Sequence, residues 1–294
     1  MRRSTLRSDA LMLLTAFIWG SAFVAQSAGM QHIGPFLFSG LRFALGALCL
    51  VPLLLRQRPV ARERLDNRGL LVGGCAMGLA LAFGINLQQV GLLFTSVTNA
   101  GFITGLYVII VPLVGLLLGH ATSAGTWIGA LLAVLGMYLL SVTTGMTVAS
   151  GDWLQLVGAF AWAGHVLLVA VLANRHDPLR LAFVQFSCCA LLSLGLAVAF
   201  EPIDASAILA AAPALLYGGV VSVGLGYTLQ VISQKGALAS HAAVIFSLEA
   251  VFAAMAGALF LGESLTARGY VGCALMLVGM LLAQLWPNRA PRAA

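Results

Sequence analysis

The chain alternates long apolar runs with short polar connectors, ten times over. Each run is about twenty residues, the length a helix needs to cross a hydrocarbon core of roughly 30 Å. The pattern predicts helices at 10–30, 35–55, 69–90, 95–118, 124–142, 153–174, 178–199, 213–234, 240–261 and 267–286. They must be helical, because lipid offers no hydrogen-bonding partner to an exposed backbone group. Gly, Pro, Asn and charged residues fill the breaks, as connectors require. Pro35, Pro178 and Pro213 fall at predicted helix starts, where a missing N–H leaves nothing unpaired. Pro112 falls inside the fourth helix and is expected to bend it.

The connectors carry a charge pattern. Of 15 basic residues, all but Arg42 and Arg268 belong to alternate segments: Arg2, Arg3 and Arg7; Arg56, Arg58, Arg62, Arg64 and Arg68; Arg175 and Arg180; Lys235; Arg289 and Arg292. The intervening loops hold Asp152, Glu201, Asp204 and Glu263. Basic loops stay in the cytoplasm. An even number of helices with both termini cytoplasmic is therefore expected.

Composition agrees. The chain is 61% hydrophobic and 8% charged, against roughly 25% charged in soluble domains. The net charge of +6 reads as topology and not as nucleic-acid binding. Cys49, Cys75, Cys188, Cys189 and Cys273 all lie in apolar runs without CxxC spacing, so they are expected to be small buried hydrophobes. The first apolar run exceeds the usual core of a signal peptide and is read as a retained helix.

An offset of 143 residues superposes the two halves without gaps. Asp9 meets Asp152, Trp19 meets Trp162, Pro35 meets Pro178 and Phe43 meets Phe186. Leu118-Gly119 meets Leu261-Gly262, Gly129 meets Gly272, and Gly136-Met137 meets Gly279-Met280. Leu and Ala coincidences are common in such a chain; Trp, Pro, Asp and Gly matches at one constant offset are not. Two units are expected, 1–143 and 144–294, each of five helices. An odd count makes the second unit enter the membrane from the other face. The expected fold is an all-α polytopic membrane protein of ten transmembrane helices, two inverted five-helix repeats around a central cavity.

At these residues the chain resembles the drug/metabolite transporter superfamily and its EamA-type ten-helix exporters. The first run carries Trp19-Gly20-Ser21-Ala22-Phe23-Val24, similar to the family's WG-S-x-F-V. The second has Pro35 and Leu41-Arg42-Phe43; the ninth has Leu248-Glu249 and Leu261-Gly262-Glu263-Ser264-Leu265-Thr266. Ala250 stands where relatives have proline, His120 follows Gly119 where glutamate is common, and Gln185 sits at the position matching Arg42. Gating details therefore do not carry over from relatives. Within the family the resemblance is to YddG-type amino-acid exporters. It implies a bacterial inner-membrane carrier that exports aromatic and other amino acids by alternating access, with multidrug or other metabolite transport as the alternative.

Polar groups at membrane depth are costly and mark function. Trp19, Tyr107, Trp162, His165, Tyr227 and Glu249 fall near the midplane, and Asn99 and Gln230 are further candidates for the cavity wall. Glu249 is the one acid deep in a helix, suited to exchanging a proton, to holding a substrate ammonium, or to bonding a neighbouring helix. Arg42 is placed to draw a carboxylate inward or to snorkel toward headgroups along its apolar stem. Trp19 and Trp162 serve as aromatic walls or as packing; His165 serves as a proton relay or as a core imidazole. Gly20, Pro112 and Gly224 are the gating candidates. Gly74-x-x-x-Gly78 and Gly125-x-x-x-Gly129 permit close helix contact, within the chain before between chains.

The fifth and tenth runs hold almost no such groups and are expected outside the cavity. There is no P-loop, HExxH or GxSxG, which argues against ATP drive and intramembrane catalysis. No cofactor or metal is expected. A single Glu and a single Arg offer no ring for a channel. The partners expected are a small-molecule substrate, membrane lipid and, if coupled, protons, in a monomer or weak dimer.

Overall fold

A computed structural model describes residues 2–57, 66–119, 122–141, 150–262, 264 and 266–286. Arg58, Arg62, Arg64, His120, Glu263, Leu265, Arg289 and Arg292 lie outside the described residues, as does the expected boundary between the units at 143–144. Every described element is helical.

The first half comprises α1 (Arg2–Gly29), α2 (Pro35–Arg56), α3 (Asn67–Gly91), α4 (Val97–Gly105), α5 (Tyr107–Leu117) and α6 (Ala124–Ser141). The second half has α7 (Ser150–Leu172), α8 (Pro178–Phe200), α9 (Ala205–Ala210) and α10 (Ala212–Leu216). A π-helical segment (Tyr217–Tyr227), α11 (Thr228–Gln234), α12 (Ala239–Phe246), α13 (Glu249–Leu261) and α14 (Ala267–Leu285) follow. Eight of the resulting spans are long and apolar enough to cross a membrane; Ala124–Leu139 and Ala267–Ala283 are shorter apolar helices. Together they account for the ten apolar runs.

Local chemistry sets the helix ends. Asp66, Ser96, Asp177 and Thr266 accept bonds from the N–H groups of Gly69, Asn99, Arg180 and Gly269, satisfying donors that the helix leaves orphaned. Pro35 and Pro178 open α2 and α8. Gly119 and Gly262, matched across the 143-residue offset, both take positive φ (78° and 69°), which releases the chain from a helix at no Cβ cost.

Loop contacts sort the ends onto two faces. Gln57 donates to Asp177 (2.9 Å), Asp66 lies 3.9 Å from His176, and the Gly236 N–H donates to Asn174 (2.9 Å). That face is the basic one. On the opposite face Glu201 accepts from the N–H groups of Phe36 and Leu37 (2.8 and 2.7 Å), and Thr95 donates to Asp152 (2.7 Å).

Packing joins each helix to the other half. α6 lies along α14, α2 along α8, α3 along α7 and α8, and α1 along α13. Glycines make the closest approaches. A Cβ on Gly129 would fall 2.6 Å from the Gly279 oxygen, and one on Gly136 2.4 Å from the Gly272 oxygen. These contacts exchange repeat-related residues, as a two-fold axis demands. Gly74 and Gly78 abut Val184 and Cys188, so both small-residue motifs serve contacts inside the chain. Leu55, Leu117, Leu191, Phe200 and Leu285 stand exposed, a surface suited to lipid and not to water.

Candidate functional site

The ninth and fourth spans are broken. α4 and α5 part at Leu106, whose N–H bonds Ile103 (3.2 Å); α12 and α13 part at Ser247–Leu248, where the Leu248 N–H bonds Ile245 (3.2 Å). Both are single tight i→i−3 turns inside a span. The expected bend at Pro112 is corrected accordingly. The break precedes that proline by more than a turn, and an equivalent break occurs in the second half, where Met255 replaces it. Hydroxyl residues at matched positions stand beside both breaks. Ser247 Oγ donates to the Val244 carbonyl (2.8 Å), and Thr104 Oγ1 donates to Gln155 Oε1 (3.2 Å). The Ser247 bond, to a carbonyl of its own helix, competes with the regular helix ladder, whereas the Thr104 bond ties its break to α7.

The breaks place Tyr107 and Glu249 as the first residues of α5 and α13, side by side at mid-span. Around them lies a cavity of about 30 Å³. A water needs roughly 10–15 Å³ measured in this way, so it admits about two waters and no metabolite. Its wall takes Trp19, Phe23 and Gln26 from α1, Arg42 from α2, Ile85 and Gln88 from α3, and Thr104 from α4. Tyr107, Trp162, Val166, Ser222, Tyr227, Gln230 and Glu249 complete it. α6 and α14 contribute nothing, as their apolar composition foretells.

Tyr227 is the hub of the aromatic wall. Its ring centroid lies 4.5 Å from Trp19 and 6.2 Å from Trp162, the latter stacked at 21°. The repeat partner of Tyr227 is Gly84, so one phenol occupies the axis between two matched indoles. The two glycines make room for the indoles: a Cβ on Gly226 would come within 2.9 Å of Trp19 Nε1, and one on Gly84 within 3.2 Å of Trp162. Phe43 and Phe186, also repeat partners, meet at 6.1 Å and flank Tyr227.

Arg42 does not snorkel. Its side chain is 1% exposed, with the guanidinium 5.5 and 5.4 Å from the Phe38 and Phe43 ring centroids and Nη2 donating to Gln89 (3.3 Å). The two rings favour a cation between them. Gln185, at the equivalent position, instead accepts from His165 Nε2 (2.8 Å). His165 is therefore fully buried behind the wall, against Trp162 and Tyr227, and does not line the cavity. Asn99 does not line it either; it sits in the first turn of α4, where its N–H is capped by Ser96. Trp19, Arg42, Tyr107, Trp162, Tyr227, Gln230 and Glu249 are brought together.

Seven polar atoms on this wall are buried without a hydrogen-bonding partner among the described residues, the Tyr107 hydroxyl and six others. Trp19 Nε1, Trp162 Nε1 and Arg42 Nε are donors; Gln26 Oε1, Gln230 Oε1 and Glu249 Oε1 are acceptors. Such groups are expensive to leave unpaired, and their convergence on one cavity makes it the candidate ligand site. By contrast Gln88, Thr104 and Gln155 satisfy one another: Gln88 donates to Thr104, Thr104 to Gln155, and the Gln155 amide to the Gln88 carbonyl (3.2, 3.2 and 2.9 Å). Gln155 is a residue that sequence reasoning missed, since its position on the inner face of α7 has no motif around it.

The family model described as "EamA-like transporter family" matches residues 6–142 and again 149–285. The chain belongs to the EamA-like transporter family. An uncharacterized transporter of Archaeoglobus fulgidus is 32% identical over 285 residues, covering 95% of this chain and 86% of the relative. A Salmonella typhimurium protein named "Probable amino-acid metabolite efflux pump" is 28% identical, covering 92% and 93%. A crystal structure at 21% identity superposes with a TM-score of 0.76 over 96% of this chain and 98% of its own, a likeness of fold.

Among the gating candidates, Gly20 has a packing role in this EamA-family fold. A Cβ there would lie 2.5 Å from Phe252 Cβ and 2.6 Å from the Glu249 carbonyl oxygen, so the glycine seats α1 directly on the broken span. Its repeat partner is Ala163. Gly20→Ala is expected to cost about 1–3 kcal/mol by overpacking, read as a lowered midpoint of thermal unfolding in detergent. Gly224, in the π-helical segment, has looser surroundings, its nearest neighbour being the Gly219 oxygen at 3.3 Å. Gly224→Ala is expected to be the milder change in the same measurement.

Proposed function

We propose that this chain is a secondary carrier that exports zwitterionic amino acids, aromatic ones included, across a bacterial inner membrane by alternating access. The observation that carries the reading is the polarity of the one central cavity. A guanidinium with a spare N–H stands on its wall, a carboxyl with a spare oxygen on another part of it, and aromatic rings line the space around Tyr227. An α-carboxylate suits Arg42, which binds planar anions through several donors. An α-ammonium suits Glu249, and the Gln26 and Gln230 oxygens accept its remaining hydrogens. Trp19, Trp162 and Tyr227 grip an apolar or planar side chain.

With the basic face in the cytoplasm, both termini lie inside the cell. Since the cavity admits only waters, the helices must part on one face to load substrate and on the other to release it. Glu249, with a carboxyl oxygen unpartnered among the described residues, is the group to exchange a proton for the substrate ammonium. The name of the Salmonella relative supports the amino-acid reading.

Purified protein in liposomes, offered a panel of labelled amino acids with and without a proton gradient, tests this. Saturable, gradient-sensitive movement of unmodified aromatic amino acids is expected. Movement of none of them would turn the assignment toward drugs or other metabolites, chemical alteration of the label toward an enzyme, and linear flux toward a channel.

A further inference from the structure

Two side-chain contacts tie the repeats together at the two faces; their aspartates are repeat partners, while the groups they meet differ by about one turn, since His241 matches Thr98 and Thr95 matches Leu238. Asp9, near the start of α1, accepts from His241 Nε2 at the start of α12 (2.9 Å). Its repeat partner Asp152, near the start of α7, accepts from Thr95 just before α4 (2.7 Å). Each aspartate reaches across to the entry of the broken span of the other repeat, His241 within the first turn of α12 and Thr95 just ahead of the cap of α4. Asp9 and His241 are nearly buried, at 5% and 9% exposed.

The contacts also stand at matching heights. Asp9 precedes Trp19, and Asp152 precedes Trp162, by the same number of residues on their helices. At 1.5 Å rise each contact lies about 15 Å from the cavity, one toward the basic face and one toward the opposite face. The helices they join are those that wall the cavity: α1 and the α12–α13 span, α7 and the α4–α5 span. The tight glycine contacts between α6 and α14 lie elsewhere, at the periphery, and do not close either mouth.

We propose that Asp9–His241 and Asp152–Thr95 are the two gates of the carrier, each released when the mouth on its own face opens while the other holds. The structure, with both contacts made around a cavity admitting only waters, is the state in which both gates are shut. The proposal rests on the carrier reading above. The symmetry is incomplete: the basic-face gate pairs a carboxylate with an imidazole, and the other pairs it with a hydroxyl. The two mouths are therefore held by bonds of different kind, and their opening equilibria differ.

The test needs no substrate. In a background with the five native cysteines replaced, Ser222→Cys places a thiol on the cavity wall. Its labelling by a membrane-impermeant thiol reagent is followed from each face, in right-side-out and inverted vesicles. Asp9→Ala is expected to raise labelling from the basic face and lower it from the opposite face. The size is on the order of tenfold, the population shift that losing one hydrogen bond to a charged group brings about. Asp152→Ala is expected to do the reverse. His241→Ala and Thr95→Ala must reproduce the two patterns, and they decide the matter if an aspartate variant does not fold. A disulfide between Asp9→Cys and His241→Cys must block labelling from the basic face only. Unchanged labelling in folded variants, or a shift toward the same face in both, overturns the gates. If labelling responds as expected while no amino acid moves in liposomes, the gates stand and the substrate reading falls.

Discussion

Glu249→Gln is expected to abolish proton-driven export of amino acids while leaving the protein folded. Gln keeps the size of the side chain and one oxygen acceptor, so packing at the start of α13 is retained. What it loses is the charge that pairs with a substrate ammonium and the site that takes up a proton. Removing one partner of a buried charge pair costs about 2–5 kcal/mol, which corresponds to a loss of about 30-fold to several thousand-fold in substrate affinity. Two measurements separate binding from structure. Gradient-driven uptake into inverted vesicles should vanish, whereas the midpoint of thermal unfolding should stay within a few degrees of the parent. A Gln variant that still accumulates substrate against a gradient would remove Glu249 from the coupling mechanism. It would leave this residue as interhelical glue next to Tyr107.

Arg42→Gln carries the second large effect, and its sign on stability is the informative part. The guanidinium is fully buried, yet its only hydrogen-bonding partner among the described residues is Gln89, at a long 3.3 Å. A buried charge without a charged partner is a burden on folding. Replacing it with the residue that already occupies the equivalent position, Gln185, should leave stability unchanged or raise it. Transport of zwitterions should fall by about 10–100-fold, the worth of a charge-assisted bond to a carboxylate. Substrates whose carboxyl is amidated should lose much less. Arg42→Lys should not restore function, since an ammonium cannot reproduce the planar fork or sit between the Phe38 and Phe43 rings as a guanidinium does. Equal losses for amidated and free amino acids, together with a collapse in stability, would make Arg42 a structural residue instead.

Much of the fold was legible residue by residue. The ten apolar runs, the basic loops and the constant offset each follow from a rule that acts locally along the chain. Asp9 with Asp152 and Gly119 with Gly262 illustrate it: the pairs read from the offset sit at equivalent helix ends. The site was legible in part. Trp19, Tyr107, Trp162, Tyr227, Gln230 and Glu249 could be placed by counting inward from helix ends, because depth in a bilayer is a one-dimensional quantity. Direction around the helix axis is not, and the error at His165 lies there. His165 stands at plausible depth but turns toward Gln185, while Asn99 lies in the capped first turn of α4, one to two turns short of the cavity.

Arg42 and Pro112 show the other source of error. A lone arginine near a helix end reads as a snorkelling side chain until the Phe38 and Phe43 rings and Gln89 are seen to enclose it. A proline inside a span reads as the cause of a bend until the matched break at Leu248 occurs without one. In both cases the deciding neighbours are supplied by other turns and other helices.

The sequence by itself determined how many segments cross the membrane, how the halves are related, and at what depth each polar group lies. Hydrocarbon thickness and the need to pair every backbone group act on each segment alone. Only the tertiary structure decided which polar groups meet. It brought seven unpartnered atoms to one cavity, put Tyr227 between two matched indoles, and paired Asp9 with His241 across the repeats. Those meetings depend on helix rotation and close approach, which packing sets across the whole bundle.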